Sequence, residues 1–319
     1  MVIPILLLIL GFVFLIKGAD LLVSGSSSLA KRLHVPELVI GLTIIAFGTS
    51  APELIVNAIA SAGDHDDVVL GNVIGSNIFN LMLILGISGV IYPIAVQVST
   101  VWKEIPYSLL AAICLLILAN DTFLFHAHEN TINYVDGIIL LAFFLLFMVY
   151  IFFSMKRDVS SDITETKQYG TAKTLVYIIL GFAGLILGGR WVVHNAVEIA
   201  RKLSVSEKLI GLTIVSIGTS LPELATSVVA ALRKKSDLAI GNVIGSNVFN
   251  IFFILGISSL ISPIKVNTSY NTDISVLIFS TAFLFVAMFT GKRKKLDRWE
   301  AIILLLLFAG YMIYLFLMK

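Results

Sequence analysis

Apolar stretches of about 20 residues, each long enough to cross a hydrocarbon layer, recur ten times along the chain with short polar connections between them. They are Val2–Ala30, Glu37–Ala62, Val68–Tyr92, Trp102–Ala119 and Tyr134–Met155, then Thr171–Ala200, Glu207–Leu232, Leu238–Ile261, Asp273–Thr290 and Trp299–Met318. Most are apolar all round rather than striped, the pattern of helices in lipid. A polar connection, Lys156–Tyr169, divides the series into two sets of five and is too short to be a folded domain. The first stretch lacks the charged leader and cleavage site of a signal peptide, so it is read as a first membrane helix.

The second set repeats the first at an offset of 170 residues. Gly48-Thr49-Ser50-Ala51-Pro52-Glu53 returns as Gly218-Thr219-Ser220-Leu221-Pro222-Glu223, and Gly71–Asn77 is identical to Gly241–Asn247. Gly41 matches Gly211, and Asn80 matches Asn250. Five crossings separate equivalent points, and an odd number turns the second copy upside down. The expected fold is an all-α membrane protein of ten transmembrane helices in two inverted five-helix repeats. The first repeat is 1–155, a cytoplasmic linker is 156–170, and the second repeat is 171–319. Lys31-Arg32, Arg233–Lys235 and Lys292–Lys295 fall on one side of such a bundle. Cationic connections stay cytoplasmic, which places both termini outside.

Composition agrees with a lipid-embedded chain. Hydrophobic residues make up 58% and charged residues 13%, where soluble domains carry about a quarter charged. The net charge of +2 gives no reason to expect nucleic acid. The one cysteine, Cys114, excludes an intramolecular disulfide.

Against this apolar background the repeated motif stands out. A carboxylate and a Gly/Pro helix break are both costly in hydrocarbon and mark functional positions. Gly48 and Pro52 predict an interrupted second helix with carbonyls freed around Ala46–Thr49. Thr49 and Ser50 lie four and three residues from Glu53, a spacing that shares a face on a continuous helix. Ser76 and Asn80 add a hydroxyl and an amide, and Thr219, Ser220, Glu223, Ser246 and Asn250 repeat the set. This is an all-oxygen inventory. Calcium takes six to eight oxygens flexibly, sodium uses similar ones with less charge, and zinc or copper would require imidazole or thiolate. Two carboxylates balance one divalent or two monovalent ions, so Ca²⁺ and Na⁺ can compete for one pocket.

Other features carry a plainer reading beside a sharper one. Gly11, Gly18 and Gly25, with Gly181, Gly184, Gly188 and Gly189, suit close helix packing; the sharper expectation is a face on which the first and sixth helices slide past the motif core. Asp20 and Arg190 are equivalent positions that could anchor at the interface or approach one another. Asp64-His65-Asp66-Asp67 is a solvated loop or a weak collector of cations. His126 and His128, beside Glu129, are read as surface histidines.

The paired Gly-Thr-Ser-x-Pro-Glu and Gly-Asn-x-x-Gly-Ser-Asn segments closely resemble the alpha repeats of the cation/calcium exchanger superfamily, and within it the prokaryotic sodium/calcium exchangers. The resemblance spans essentially the whole chain and implies ten helices in two inverted fives. It implies that Glu53 and Glu223 are the central calcium ligands, helped by the carbonyls of Thr49 and Thr219. It further implies sodium sites using Ser50, Ser76, Asn80, Ser220, Ser246 and Asn250, with the carbonyls of Ala46 and Ser216, and sliding of the first and sixth helices. Some relatives, including potassium-dependent members, carry Asp where this chain has Asn80 or Asn250, so potassium co-transport is not expected. Proton-coupled relatives tend to carry glutamine near those positions, which this chain lacks.

The expected function is antiport of Na⁺ for Ca²⁺ by alternating access at a midplane site, in a multi-pass protein of a prokaryotic plasma membrane. Ca²⁺/H⁺ antiport is the alternative within transport. A Ca²⁺-permeable channel is a remoter one, and an intramembrane enzyme lacks a nucleophile at that depth. The transported ions and the bilayer are the implied partners, with no cofactor and no obligate protein partner.

Overall fold

The computed structural model describes residues 2–124, 128–154, 168–202, 216–291 and 294–317. Most of the linker 156–170 lies outside these residues, as do His126, Lys208, Gly211, Lys292 and Arg293.

Unbroken apolar sequence gives unbroken helices. They are α1 (Val2–Leu33), α4 (Asp66–Ile91), α5 (Thr100–Leu118), α6 (Tyr134–Ser154), α7 (Thr171–Lys202), α10 (Ser236–Ile261), α11 (Tyr270–Ala287) and α12 (Arg298–Leu317). The motif sequence does the opposite. The second span divides into α2 (Glu37–Thr49) and α3 (Ala51–Ala62), bent by 46° at Ser50. Its counterpart divides into α8 (Ser216–Thr219) and α9 (Leu221–Leu232) at Ser220. Among the described residues, eight helices are long and apolar enough to cross a membrane, or nine with α2 and α3 as one broken span. The protein is an all-helical, multi-pass membrane protein.

Burial sorts these helices into layers. In the most apolar window of α4 and of α10, 78% of residues are buried, against 17–39% in the other six unbroken helices. So α4 and α10 form the axis, and α5, α6, α11 and α12 turn side chains such as Phe152 and Ile313 outward. Both axial helices carry a wider, π-helical turn at matching places, Phe79–Ile84 and Phe249–Ile254, a local irregularity common at functional sites. Phe252 anchors the central core, with its ring 5.6 Å from Tyr107 and 5.4 Å from Phe143.

Short antiparallel ladders tie the halves together at the connections. β1 (Ile94–Ala95) pairs with β4 (Lys295–Leu296), and β2 (Thr131–Ile132) with β3 (Ile264–Lys265). The acidic loop takes part in this tying. Ser262 donates to Asp64 at 2.8 Å, the Lys265 amide to Asp66 at 3.2 Å and Tyr270 to Asp67 at 3.2 Å. These aspartates dock the connection after α10, and they line a cavity of about 620 Å³ with Glu129 and Lys265. Glu129 pairs with Lys265 at 3.5 Å.

The glycine series corrects one expectation. Gly11, Gly18 and Gly25 of α1 face α7, not the motif helices. A Cβ on Gly18 would lie 2.8 Å from the Leu185 nitrogen and 2.9 Å from the Gly181 oxygen, and one on Gly188 would lie 2.8 Å from the Gly11 oxygen. Backbone meets backbone, so these glycines join α1 and α7 to each other. Gly189 of α7 does face the motif, where a Cβ would lie 3.9 Å from the Pro222 ring, and α7 side chains lie over the breaks: Phe182 covers Gly48 and Val193 covers Gly218. Asp20 also finds a different partner from Arg190. It pairs with Arg233, which also bonds Ser24, while Lys235 pairs with Glu37 at 2.9 Å.

Candidate ion-binding site at the helix breaks

Each break is set by local chemistry. Proline has no N–H and cannot supply the i to i−4 helical bond. Pro52 therefore deprives the Gly48 carbonyl of its donor, and Pro222 does the same to Gly218. Ser50 (φ −83°, ψ 6°) and Ser220 (φ −88°, ψ 7°) adopt the same bridge-region backbone at the break. The expectation that carbonyls are freed around Ala46–Thr49 narrows here. The Ala46 carbonyl still accepts the Ser50 amide at 3.0 Å, so the carbonyl that proline leaves without its helical donor is that of Gly48.

Glu53 and Glu223 stand in the first turns of α3 and α9, where unpaired amides and the helix dipole favour negative charge. They are 2% and 1% exposed, well inside a protein whose outer helices face lipid. Thr49 and Ser50 do not serve Glu53 as their spacing suggests. The break at Ser50 ends the continuous helix on which that face would exist, and the bonds cross to the other half. Ser50 Oγ donates to Glu223 Oε1 at 2.9 Å, and Ser220 Oγ donates to Glu53 Oε1 at 3.0 Å. Ser220 Oγ also lies 3.0 Å from Ser76 Oγ.

The axial helices complete the cluster in the same crossed manner. Asn80 Nδ2 donates to Asn247 Oδ1 at 3.1 Å, and Asn250 Nδ2 to Asn77 Oδ1 at 3.3 Å. Asn80 and Asn250 each sit in the π-helical turn of their helix. Ser246 is fully buried, Ala46 is buried where it backs onto Gly245 of α10, and Thr219 is partly buried. Ser216 opens α8.

Six residues belong to this network that the sequence argument passes over. Thr49 Oγ1 lies 3.1 Å from Asn242 Oδ1, and Thr219 Oγ1 donates to Asn72 Oδ1 at 3.3 Å. Asn72 Nδ2 in turn donates to Asn57, and Asn242 Nδ2 to Ser227. Asn77 and Asn247 are the acceptors named above. A signal for Asn72 and Asn242 was present: Asn72, Ser76 and Asn80, like Asn242, Ser246 and Asn250, fall at i, i+4 and i+8, one face of a helix.

Four oxygens of this cluster, Glu53 Oε2, Glu223 Oε2, Asn80 Oδ1 and Asn250 Oδ1, are buried without a hydrogen-bond partner. Leaving such groups unsatisfied is costly, most of all for a carboxylate. Four acceptors from four helices, concentrated in one crossed network, are the kind of oxygen set that a hard cation would satisfy.

Comparison with known proteins agrees with this chemistry. A family model described as sodium/calcium exchanger protein matches residues 3–153 and 173–317. The chain belongs to the sodium/calcium exchanger family. The sodium/calcium exchanger MaX1 of Methanosarcina acetivorans is 33% identical over 350 residues, covering 98% of each chain. The inner membrane protein YrbG of Escherichia coli is 34% identical over 282 residues, covering 85% of this chain and 84% of that relative. Among solved structures, the sodium-calcium exchanger NCX_Mj soaked with 2.5 mM Na⁺ and 0.1 mM Ca²⁺ superposes with a TM-score of 0.83 at 33% identity, covering 98% of both chains. The same exchanger soaked with 2.5 mM Na⁺ and 10 mM Sr²⁺ gives 0.84 at 32% identity. This exchanger-family chain therefore shares its fold with NCX_Mj along nearly its whole length.

Proposed function

We propose that the protein is a secondary-active antiporter that exchanges Na⁺ for Ca²⁺ across the membrane. One observation carries the reading: Glu53, Glu223, Asn80 and Asn250 each hold a buried oxygen without a partner in a network built from both halves. Glu53 and Glu223 are the Ca²⁺ ligands, with the carbonyls of Thr49 and Thr219. Ser50, Ser76, Asn80, Ser220, Ser246 and Asn250, with the carbonyls of Ala46 and Ser216, are the further oxygens for Na⁺. A single cluster with two formal charges takes one Ca²⁺ or a set of Na⁺ ions, and that competition makes an exchanger rather than a leak.

The architecture proposed is ten helices in two inverted repeats, 1–155 and 171–319, around a cytoplasmic linker, 156–170, with both termini outside a plasma membrane. The crossed hydrogen bonds support it, since the bonds from Ser50 to Glu223 and from Asn80 to Asn247 have mates at an offset of 170, from Ser220 to Glu53 and from Asn250 to Asn77. Burial of α1 glycines against α7 supports movement of α1 and α7 as one unit past the breaks, touching them through Phe182 and Val193.

The test is ⁴⁵Ca²⁺ uptake into proteoliposomes loaded with Na⁺ and diluted into Na⁺-free buffer, beside a second set given only a pH gradient. Uptake driven by the Na⁺ gradient with pH clamped by an ionophore is the expected result. Uptake driven by the pH gradient alone would overturn the sodium assignment. Flux that neither saturates nor needs a counter-ion would overturn antiport altogether.

A further inference from the structure

The oxygens that meet the ions are held by a second set of side chains, and in one half a single carboxamide does most of the holding. Asn242 lies on α10 and is fully buried. Its Nδ2 donates to Ser227 Oγ at 2.9 Å and to the main-chain oxygen of Glu223 at 3.2 Å. An amide nitrogen has two protons, and both are used. The oxygen is thereby turned the other way, where it lies 3.1 Å from Thr49 Oγ1, a hydroxyl whose single proton is shared among this oxygen and the main-chain oxygens of Ile45 at 3.0 Å and Ala46 at 3.3 Å. Thr49 is the last residue of α2 before the break, and Glu223 lies in the first turn of α9. One side chain of the second half thus fixes the backbone of its own carboxylate and the end of the first half's broken helix.

The other half has a looser version. Asn72 Nδ2 donates to Asn57 Oδ1 at 3.0 Å, and its oxygen accepts from Thr219 at 3.3 Å. Asn72 is 8% exposed, where Asn242 is fully buried. The position that orients the carboxamide differs as well, Asn57 in one half and Ser227 in the other. Asn57 keeps an unpartnered, buried Nδ2, so its own orientation rests on the bond from Asn72.

We infer that Asn242 and Asn72 are positioning residues of the ion site, each locking the threonine at the opposite half's helix break, with Ser227 and Asn57 fixing which way each carboxamide faces. Asn242 has the larger effect, because it also holds the Glu223 main chain. The two half-sites are consequently unequal although their proposed ligands are nearly identical. This inference rests on the antiport reading above for the identity of the ion.

The test is a double-mutant cycle in purified full-length protein, Thr49→Val against Asn242→Ala. Half-saturating Ca²⁺ and maximal rate are read from Na⁺-driven ⁴⁵Ca²⁺ uptake, and the Ca²⁺-dependent rise in unfolding temperature is read in parallel. Each single variant raises half-saturating Ca²⁺ about tenfold, the size expected when a buried hydrogen bond is lost, and the double variant is no worse than the stronger single. Asn72→Ala gives a smaller shift than Asn242→Ala. Ser227→Ala, which removes one oxygen, raises half-saturating Ca²⁺ about threefold, and Ser227→Thr restores the parent value. Multiplying effects in the double variant would overturn the inference. So would an Asn242→Ala variant with a lower maximal rate at unchanged half-saturation, and if that variant does not fold, equal values for Ser227→Ala and Ser227→Thr would do the same. Failure of the parent to take up Ca²⁺ under a Na⁺ gradient refutes the antiport reading instead, while its Ca²⁺-dependent thermal shift still reads the cycle.

Discussion

Replacing Glu53 by Gln changes the site's charge and little else. Gln has the same shape, and its Oε1 can still accept the bond from Ser220 that Glu53 accepts at 3.0 Å. What is lost is one of two formal negative charges in a buried cluster. Two unit charges 4 Å apart at an effective dielectric of 20 attract by about 4 kcal/mol. A divalent ion therefore loses about 8 kcal/mol of attraction and a monovalent ion about 4. Part of each loss returns because the neutral site is easier to desolvate, but the excess borne by Ca²⁺ remains. Even half of that excess, about 2 kcal/mol, is about a thirtyfold shift in preference away from Ca²⁺. The assay is Na⁺-driven ⁴⁵Ca²⁺ uptake alongside thermal unfolding with Ca²⁺ or Na⁺ present. The expected outcome is loss of measurable Ca²⁺ exchange and of the Ca²⁺-dependent thermal shift, with some Na⁺-dependent shift retained. Glu223→Gln behaves alike. Ca²⁺ exchange within tenfold of the parent in both variants would refute the two-carboxylate site.

Three further outcomes follow from particular contacts. Ser50→Ala and Ser220→Ala each remove a hydrogen bond to a carboxylate, worth about 1.5–3 kcal/mol, and raise half-saturating Ca²⁺ by at least about tenfold in the uptake assay. Gly18→Val forces a side chain against the backbone of α7, where a Cβ would lie 2.8 Å from the Leu185 nitrogen; overpacking costs about 1–3 kcal/mol, so its unfolding temperature falls, while Gly310→Ala, with open space around it, leaves stability unchanged. Phe252→Ala empties the aromatic cluster of the axial core and destabilises by about 3–5 kcal/mol, measurable as reduced thermal stability in detergent without a change in Na⁺/Ca²⁺ preference.

The apolar pattern and the repeat carried most of the architecture. Ten marked stretches became eight unbroken helices and one broken pair among the described residues, with Leu221–Leu232 too short to count as a span by itself. The break at Ser50 was legible because proline acts on its own chain within four residues. Partnership was not. Periodicity reports which residues share a face of one helix, and it placed Ser50 with Glu53. The bond goes to Glu223, 173 residues away, a contact that depends on how the two halves dock. The glycines of α1 misled for the same reason: a small residue announces close approach without naming the surface approached. Asn72 and Asn242 were hidden differently. They lie inside the identical heptapeptide, but their role depends on Asn57 and Ser227, residues outside the repeated motif.

The two terminal ladders bear on how this protein is made. Residues 94–95 find their strand partner only at 295–296, about 200 positions later in synthesis. At roughly 5–20 residues per second, a ribosome needs about 10–40 s to supply that partner. During this interval the first half sits in the membrane with an unclasped connection, and Ser50 and Glu53 await side chains not yet translated. The nascent first half is thus an intermediate obliged to wait for its complement.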